Sequence, residues 1–249
     1  MNNYHYFWAL KETSPDDIGY NQFSKKHLLM LLGVIVFTTF ISILYIHSSI
    51  EMKSMIRKTI AVALIISEIF KFFVIIINRG DIFNYIPIEI CSIAAYCIVI
   101  DAFSPNPTFV REMLLILFLP AAIMALIYPT SVCLPVFNFF TIHQFVFHGL
   151  IIAYVTMLFV SKEIMIDYVG VWKSIFTILC IAGVVYVIDR ITNRNYMFLM
   201  DDYDNSMLKN LTALSGGGIK YTLLLVFFCI LMIHVFYFIF KLLEMLFLS

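Results

Sequence analysis

Seven stretches of this sequence are apolar over lengths that cross a lipid bilayer or nearly do, which constrains the fold more than any other feature. A spanning helix needs about 20 mainly apolar residues, because the hydrocarbon core is about 30 Å thick and a helix rises about 1.5 Å per residue. The stretches run from His27 to Ser48, Ile56 to Ile77, Ile86 to Phe103, Arg111 to Tyr128, Phe139 to Val160, Val171 to Ile191 and Ile219 to Leu246. With 62% hydrophobic residues, 13% charged residues and a mean hydropathy of +0.97, a soluble globule is excluded. The expected fold is all-α: one polytopic membrane domain of about seven transmembrane helices. A polar tail over 1–26 and an extramembrane loop over 192–218 complete it. Pro120 falls inside the fourth stretch and predicts a kink there.

Charge and cysteine usage narrow the partners. The 16 basic and 16 acidic residues cancel, so neither a nucleic-acid partner nor a polybasic lipid-binding tail is expected; the partner is the bilayer itself. If the spans alternate, eight basic residues in and next to the loops fall on the N-terminal side and seven on the other, a balance that sets no orientation. The five cysteines show neither a CxxC pair nor metal-ligand spacing, so no disulfide framework is expected. Glu12, Asp16 and Asp17 near the start replace the basic region of a cleaved leader, and none is expected.

Ionisable residues inside spans are costly and mark working sites or buried pairs. Placed by alternate crossings, most gather toward the N-terminal side: His27, Glu68, Lys71, Glu89, Cys91, His143, Gln144, His148, Asp189 and, just beyond, Asn195 and Tyr196. The opposite side offers little beyond Asp101, Glu112 and Thr156. Within Tyr85–Tyr96, Pro87 fits the first turn of a helix, which places Cys91 one turn in, near the positive end of the helix dipole. Glu89 and Cys91 then point to nearly opposite sides. Glu68 and Lys71, three apart, can pair. His143 and His148, five apart, diverge too far around a helix to share a metal, whereas Gln144 and His148, four apart, share a face. His234 in the last stretch reads as a packed or helix-bonded residue. Asp201, Asp202 and Asp204 lack a calcium-loop pattern and read as a solvated face, and Gly216–Gly218 as a flexible joint. No metal site and no cofactor are expected.

Four stretches carry a family likeness in order and spacing over nearly the whole chain. They are Phe23-Ser24-Lys25-Lys26-His27-Leu28, Ile86-Pro87-Ile88-Glu89-Ile90-Cys91-Ser92-Ile93, Phe145-Val146-Phe147-His148-Gly149, and Asn193-Arg194-Asn195-Tyr196-Met197-Phe198-Leu199. On them the chain resembles the YwaF family of bacterial integral membrane proteins, which has a eukaryotic relative that is a transmembrane phospholipid acyltransferase. The family pattern usually has a histidine or another polar residue in place of Glu89, and a proline where Met200 follows here. The resemblance implies a multi-pass protein of a bacterial cell membrane, with Cys91 and His148 as the pair that carries acyl transfer. In that reading Cys91 holds a fatty acyl chain as a thioester and His148 serves as base. Glu89 orients His148 or His27, Gln144 orients His148, and Asn195 and Tyr196 hold an oxyanion or a lipid head group. The alternative is a lipid or small-amphiphile carrier or receptor using Glu68, Lys71 and His148 as ligand or proton sites, or an accessory subunit; the lack of an internal repeat weighs against a carrier.

Overall fold

The computed structural model describes residues 6–15, 18–105, 107–203 and 205–247, and among them every regular element is helical. Helices α1 (Lys25–Ile46) and α2 (Ile50–Ile77) are joined by three residues, and α1 packs mainly on the later helix Phe139–Val160. Serine caps begin both: Ser24 Oγ accepts from the His27 amide at 3.4 Å and Ser49 Oγ from Met52 at 3.3 Å. Each satisfies one of the donors that a helix start leaves open. A 3-10 turn, Ile82–Tyr85, then leads into α3 (Ile90–Phe103).

The chain returns through α4 (Thr108–Met113), a π-helical turn (Leu114–Phe118) and α5 (Leu119–Ile127). The π turn stands immediately before Pro120, whose missing N–H breaks the ordinary ladder; the Leu119 amide reaches back to the Leu114 carbonyl instead. All five residues of that turn are buried, so the backbone irregularity is shielded by protein. Helices α6 (Phe139–Val160), α7 (Tyr168–Thr192), the short α8 (Leu208–Ser215) and α9 (Gly218–Phe247) follow. Asn138 and Asp167 cap α6 and α7 through their side chains. The joint between α8 and α9 uses Gly216, Gly217 and Gly218 at φ 75°, 84° and 61°, a left-handed run that residues with a Cβ disfavour.

Among the described residues six helical stretches, Thr108–Ile127 counted as one, are long and apolar enough to cross a membrane, and α3 is a seventh, shorter apolar one. At 14 residues α3 is about 21 Å long, less than the hydrocarbon core. The stretch expected as a helix from Ile86 divides: Ile86–Glu89 is a non-helical lead-in in which the Ile88 amide turns back onto the Ile86 carbonyl at 2.8 Å, and the helix begins at Ile90 with Glu89 as its N-cap. Pro87 does not open the helix, and Glu89 caps it rather than lying within it.

The stretch Thr108–Ile127 and α6 are the most buried of the long spans, whereas α1 and α9 show most of their surface to lipid. α6 packs on α1, α2 and α5 and so forms the middle of the bundle. Trp8 touches both Phe70 of α2 and Phe139 of α6, ring centroids 6.5 and 5.6 Å away. The start of α6 is thus level with a point two turns short of the end of α2. Residues 6–14 fill that step. Asn138 Nδ2 donates to the carbonyls of Tyr6 (2.7 Å) and Ala9 (3.0 Å), and the Phe139 amide donates to Phe7 (2.7 Å). Leu10 is buried against Gly80 and Ile75.

Candidate functional site

The shortest route between the two chemistry-bearing side chains is direct: Cys91 Sγ lies 3.0 Å from His148 Nε2. Cys91 is the second residue of α3, and His148 lies nine residues, about 14 Å, along α6 from its start. The other ring nitrogen, Nδ1, is 2.7 Å from the Gln144 carbonyl. A carbonyl only accepts, so Nδ1 carries the proton and the Nε2 lone pair faces the thiol. Gln144 therefore orients the imidazole through its main chain, as any residue at that position would. Its side-chain amide instead donates to the Ala125 carbonyl at 3.1 Å and ties α6 to α5.

Glu68 and Lys71 form the expected pair on α2: Lys71 Nζ lies 2.8 and 3.0 Å from the two carboxylate oxygens, and both side chains are mostly buried. Their charges, with that of Glu89, act on the Cys91 thiol. Glu89 makes no cap hydrogen bond with its side chain and remains accessible. His143 joins this group: its Nε2 is 3.9 Å from Glu68 Oε1, and its ring stacks on Phe147 at 5.4 Å. Sequence reading placed His143 in the polar cluster and set it aside as a metal ligand, without naming Glu68 as its neighbour. Its separation from α2 could not be read from a period.

The remaining expected residues stand elsewhere. His27 is fully buried, with Nδ1 accepting from the Phe23 amide (2.9 Å) and Nε2 donating to the Leu126 carbonyl (2.8 Å). Both nitrogens are spent on fastening the start of α1 to the end of α5. Asn195 donates to the carbonyl and to Oδ1 of Asp201, each at 2.9 Å, and accepts from the Met200 amide at 2.9 Å, so it folds its own loop. Tyr196 Oη donates to the Phe83 carbonyl at 2.6 Å. Next to it, Arg194 bonds Asp81 Oδ2 at 2.6 Å and also Asn84. The Asn-Arg-Asn-Tyr run thus clamps the 3-10 turn that feeds Glu89 and Cys91. Asp81 is held below the ordinary carboxylate range, first by the Arg194 hydrogen bond. His234 bonds the Ile230 carbonyl of its own helix at 2.8 Å.

No group of three or more His, Cys, Asp or Glu side chains among the described residues is placed to hold a metal ion; Asp204 of the acidic cluster lies outside them.

The opposite end of the bundle corrects the expectation that it is poor in polar groups. Asp101, 1% exposed, accepts from Arg111 Nε at 2.5 Å and from Tyr154 Oη at 2.6 Å. Arg111 also donates to the Glu163 carbonyl at 3.1 Å. The Glu163 carboxylate takes Tyr45 Oη (3.0 Å), Lys53 (3.4 Å) and Arg57 (3.5 Å). This network joins α1, α2, α3, α4, α6 and the turn after α6. Its members lie far apart in sequence, and the tyrosines carry no charge to flag them.

Taken together, the helices and the enclosed thiol–imidazole pair define a multi-pass integral membrane protein with polar chemistry inside its bundle. The chain belongs to the TMEM164 family, whose model matches residues 22–240 and so includes Cys91, His148, Glu68, Lys71 and His143. Comparison with curated proteins and with solved structures gives no match.

Proposed function

We propose that this protein is a membrane-embedded acyltransferase that moves a fatty acyl chain between lipids through a thioester on Cys91. The observation that carries the reading is the 3.0 Å approach of Cys91 Sγ to an imidazole nitrogen whose lone pair is free to take its proton. The first half-reaction passes the thiol proton to His148 Nε2 as sulfur attacks the ester carbonyl of a donor lipid. The ester C–O bond then breaks, and the departing alcohol takes that proton from His148. In the second half-reaction His148 removes the proton of an acceptor hydroxyl, the new ester forms, and the proton returns to sulfur as the thioester breaks. Glu68 and Lys71 supply fixed charges beside the sulfur, and Arg194 and Tyr196 act by holding the turn before it. The sequence likeness to the YwaF bacterial proteins agrees with this reading and with a place in the bacterial cell membrane.

The test is covalent. Purified protein in nanodiscs is incubated with a phospholipid bearing an alkyne-tagged acyl chain, and hydroxylamine-sensitive label is measured. Wild-type protein is expected to take up label, Cys91→Ala none, and His148→Gln at least tenfold less per unit time. Equal labelling of Cys91→Ala would remove the nucleophile and the proposal with it.

A further inference from the structure

The first three turns of α2 carry four ionic side chains and send them in two directions. Lys53 and Arg57 turn toward the bundle, where they meet the Glu163 carboxylate at 3.4 and 3.5 Å. Glu51 and Lys58 are exposed, and neither joins an ion pair among the described residues. Glu51 meets the Ser49 hydroxyl, and Lys58 Nζ stands 5.8 Å from the Phe103 ring centroid. Between these two charges runs a groove of about 450 Å³, open outward and lined by Glu51, Ser54, Met55, Lys58, Thr59 and Val62. Their helical spacing puts all six on one face.

Depth orders the chemistry of that face. Further along α2 the ionisable residues Glu68 and Lys71 pair with each other inside the bundle, while Val62, Ile66, Ile69 and Phe73 stay exposed. Contact with lipid tails therefore starts at Val62, and Glu51 to Thr59 stand at the level of the head groups. From the water inward, a ligand in the groove meets a carboxylate, a hydroxyl, an ammonium with a second hydroxyl, and then apolar side chains. A phospholipid with a primary amine presents the complementary order of ammonium, phosphate and acyl chain. Glu51 and Lys58 are separated by about 10.5 Å along the helix axis. Two charge-assisted contacts of about 2.8 Å each, with about 5 Å from a phosphate oxygen to the nitrogen of an extended ethanolamine, cover that rise. Choline fits less well, because a quaternary ammonium has no N–H for Glu51 and the groove has no aromatic wall to receive it. Phosphatidylglycerol offers Lys58 a phosphate but gives Glu51 no cation.

We propose that this groove is a binding site for one zwitterionic aminophospholipid of the phosphatidylethanolamine class, with its ammonium on Glu51 and its phosphate on Lys58 and Thr59. Lys58 and Lys71 lie about 20 Å apart along α2, so the groove belongs to the leaflet opposite the Cys91–His148 pair. The lipid is bound there and not transformed. The site stands whether or not the protein is an acyltransferase.

Native mass spectrometry of the full-length protein, delipidated in detergent and titrated with lipids of identical acyl chains, reads the occupancy directly. Wild-type protein is expected to take up its first phosphatidylethanolamine at least tenfold more tightly than phosphatidylcholine or phosphatidylglycerol. Glu51→Gln should lower phosphatidylethanolamine to the phosphatidylcholine level and leave phosphatidylcholine unchanged. Lys58→Gln should weaken all three lipids, and Lys58→Arg should restore them. Both side chains are exposed, and an unchanged rate of Cys91 alkylation in the same samples shows that the fold is kept. A first lipid bound equally well whatever its head group, or an undiminished preference for phosphatidylethanolamine in Glu51→Gln, would overturn the site.

Discussion

Replacing Asp101 by Asn tests whether the network at the far end of the bundle holds the helices together. The substitution keeps shape and volume but removes the charge that accepts from Arg111 at 2.5 Å and from Tyr154 at 2.6 Å. Breaking one partner out of a buried ion pair costs about 3–5 kcal/mol, because the other charge stays buried. Arg111 is 16% exposed and keeps its bond to the Glu163 carbonyl, so the lower end, about 3 kcal/mol, is expected. Tyr154→Phe removes a single hydrogen bond to a carboxylate and should cost about 2 kcal/mol. In the Asp101→Asn background that bond is neutral and weaker, so the two costs should fall short of additive by about 1 kcal/mol. Reversible unfolding in mixed micelles, titrated with denaturing detergent, measures all three. A cost under about 1 kcal/mol for Asp101→Asn, or strict additivity with Tyr154→Phe, would refute the claim that the bonds are mutually strengthened. Alkylation of Cys91 should be unaffected, since Asp101 lies ten residues, about 15 Å, further along α3.

Two further outcomes follow from the N-terminal side. Tyr85 Oη lies 3.0 Å from each Glu12 oxygen, and burial followed by the Glu12 charge pushes the phenol upward, so it keeps its proton and fastens residues 6–14 across the ends of α2 and α6. With the other four cysteines replaced by Ala, Tyr85→Phe should let a membrane-impermeant maleimide reach Cys91 several-fold faster, and an unchanged rate would show that this contact does not cover the site. The Arg194–Asp81 bond predicts an acid transition of the turn before α3. A lowered aspartate value means that the stabilisation is present above the ordinary 3.8 and drains away as pH falls through the lowered value. Protection of the amides over 82–86, relative to the unstructured rate at each pH, should therefore fall in acid in the wild type, whereas Arg194→Ala should be poorly protected already at neutral pH with no further step; identical profiles would remove the clamp.

The spans were legible because length and apolarity fix them: Phe139–Val160 agrees at both ends, and Tyr168–Thr192 and Gly218–Phe247 differ from the expected bounds by one to three residues. The meeting of Cys91 with His148 was legible only through the family likeness, since no period links residues on different helices. Pro87 misled because proline at a first helical turn and proline in a non-helical lead-in obey the same φ restriction. Which one holds is decided by Glu89, whose extended ψ of 157° makes it the cap. Tyr196 illustrates a different limit. Its run is specific in sequence, yet its hydroxyl reaches the Phe83 carbonyl 113 residues away, so specificity pointed to the residue and could not say what it holds.

A short α3 and an enclosed thiol are two aspects of one constraint. About 21 Å of helix is shorter than about 30 Å of hydrocarbon, so non-helical backbone flanking α3, such as the Ile86–Glu89 lead-in, is where unpaired groups at membrane depth would cost several kcal/mol each. The protein meets that demand locally. Pro87 has no N–H to satisfy and its carbonyl accepts from Tyr96 Oη at 3.2 Å; the Ile88 amide donates to Ile86 at 2.8 Å; the Glu89 carbonyl takes the Ile93 amide at 3.0 Å. Just upstream, the Phe83 carbonyl is taken by Tyr196. With these groups paired by the chain itself, the open helix start can stand beside His148. A continuous helix from Ile86 would keep its N-terminal amides one turn nearer the water, so the break before Ile90 is what brings a thiol, a helix terminus and an imidazole to the same depth.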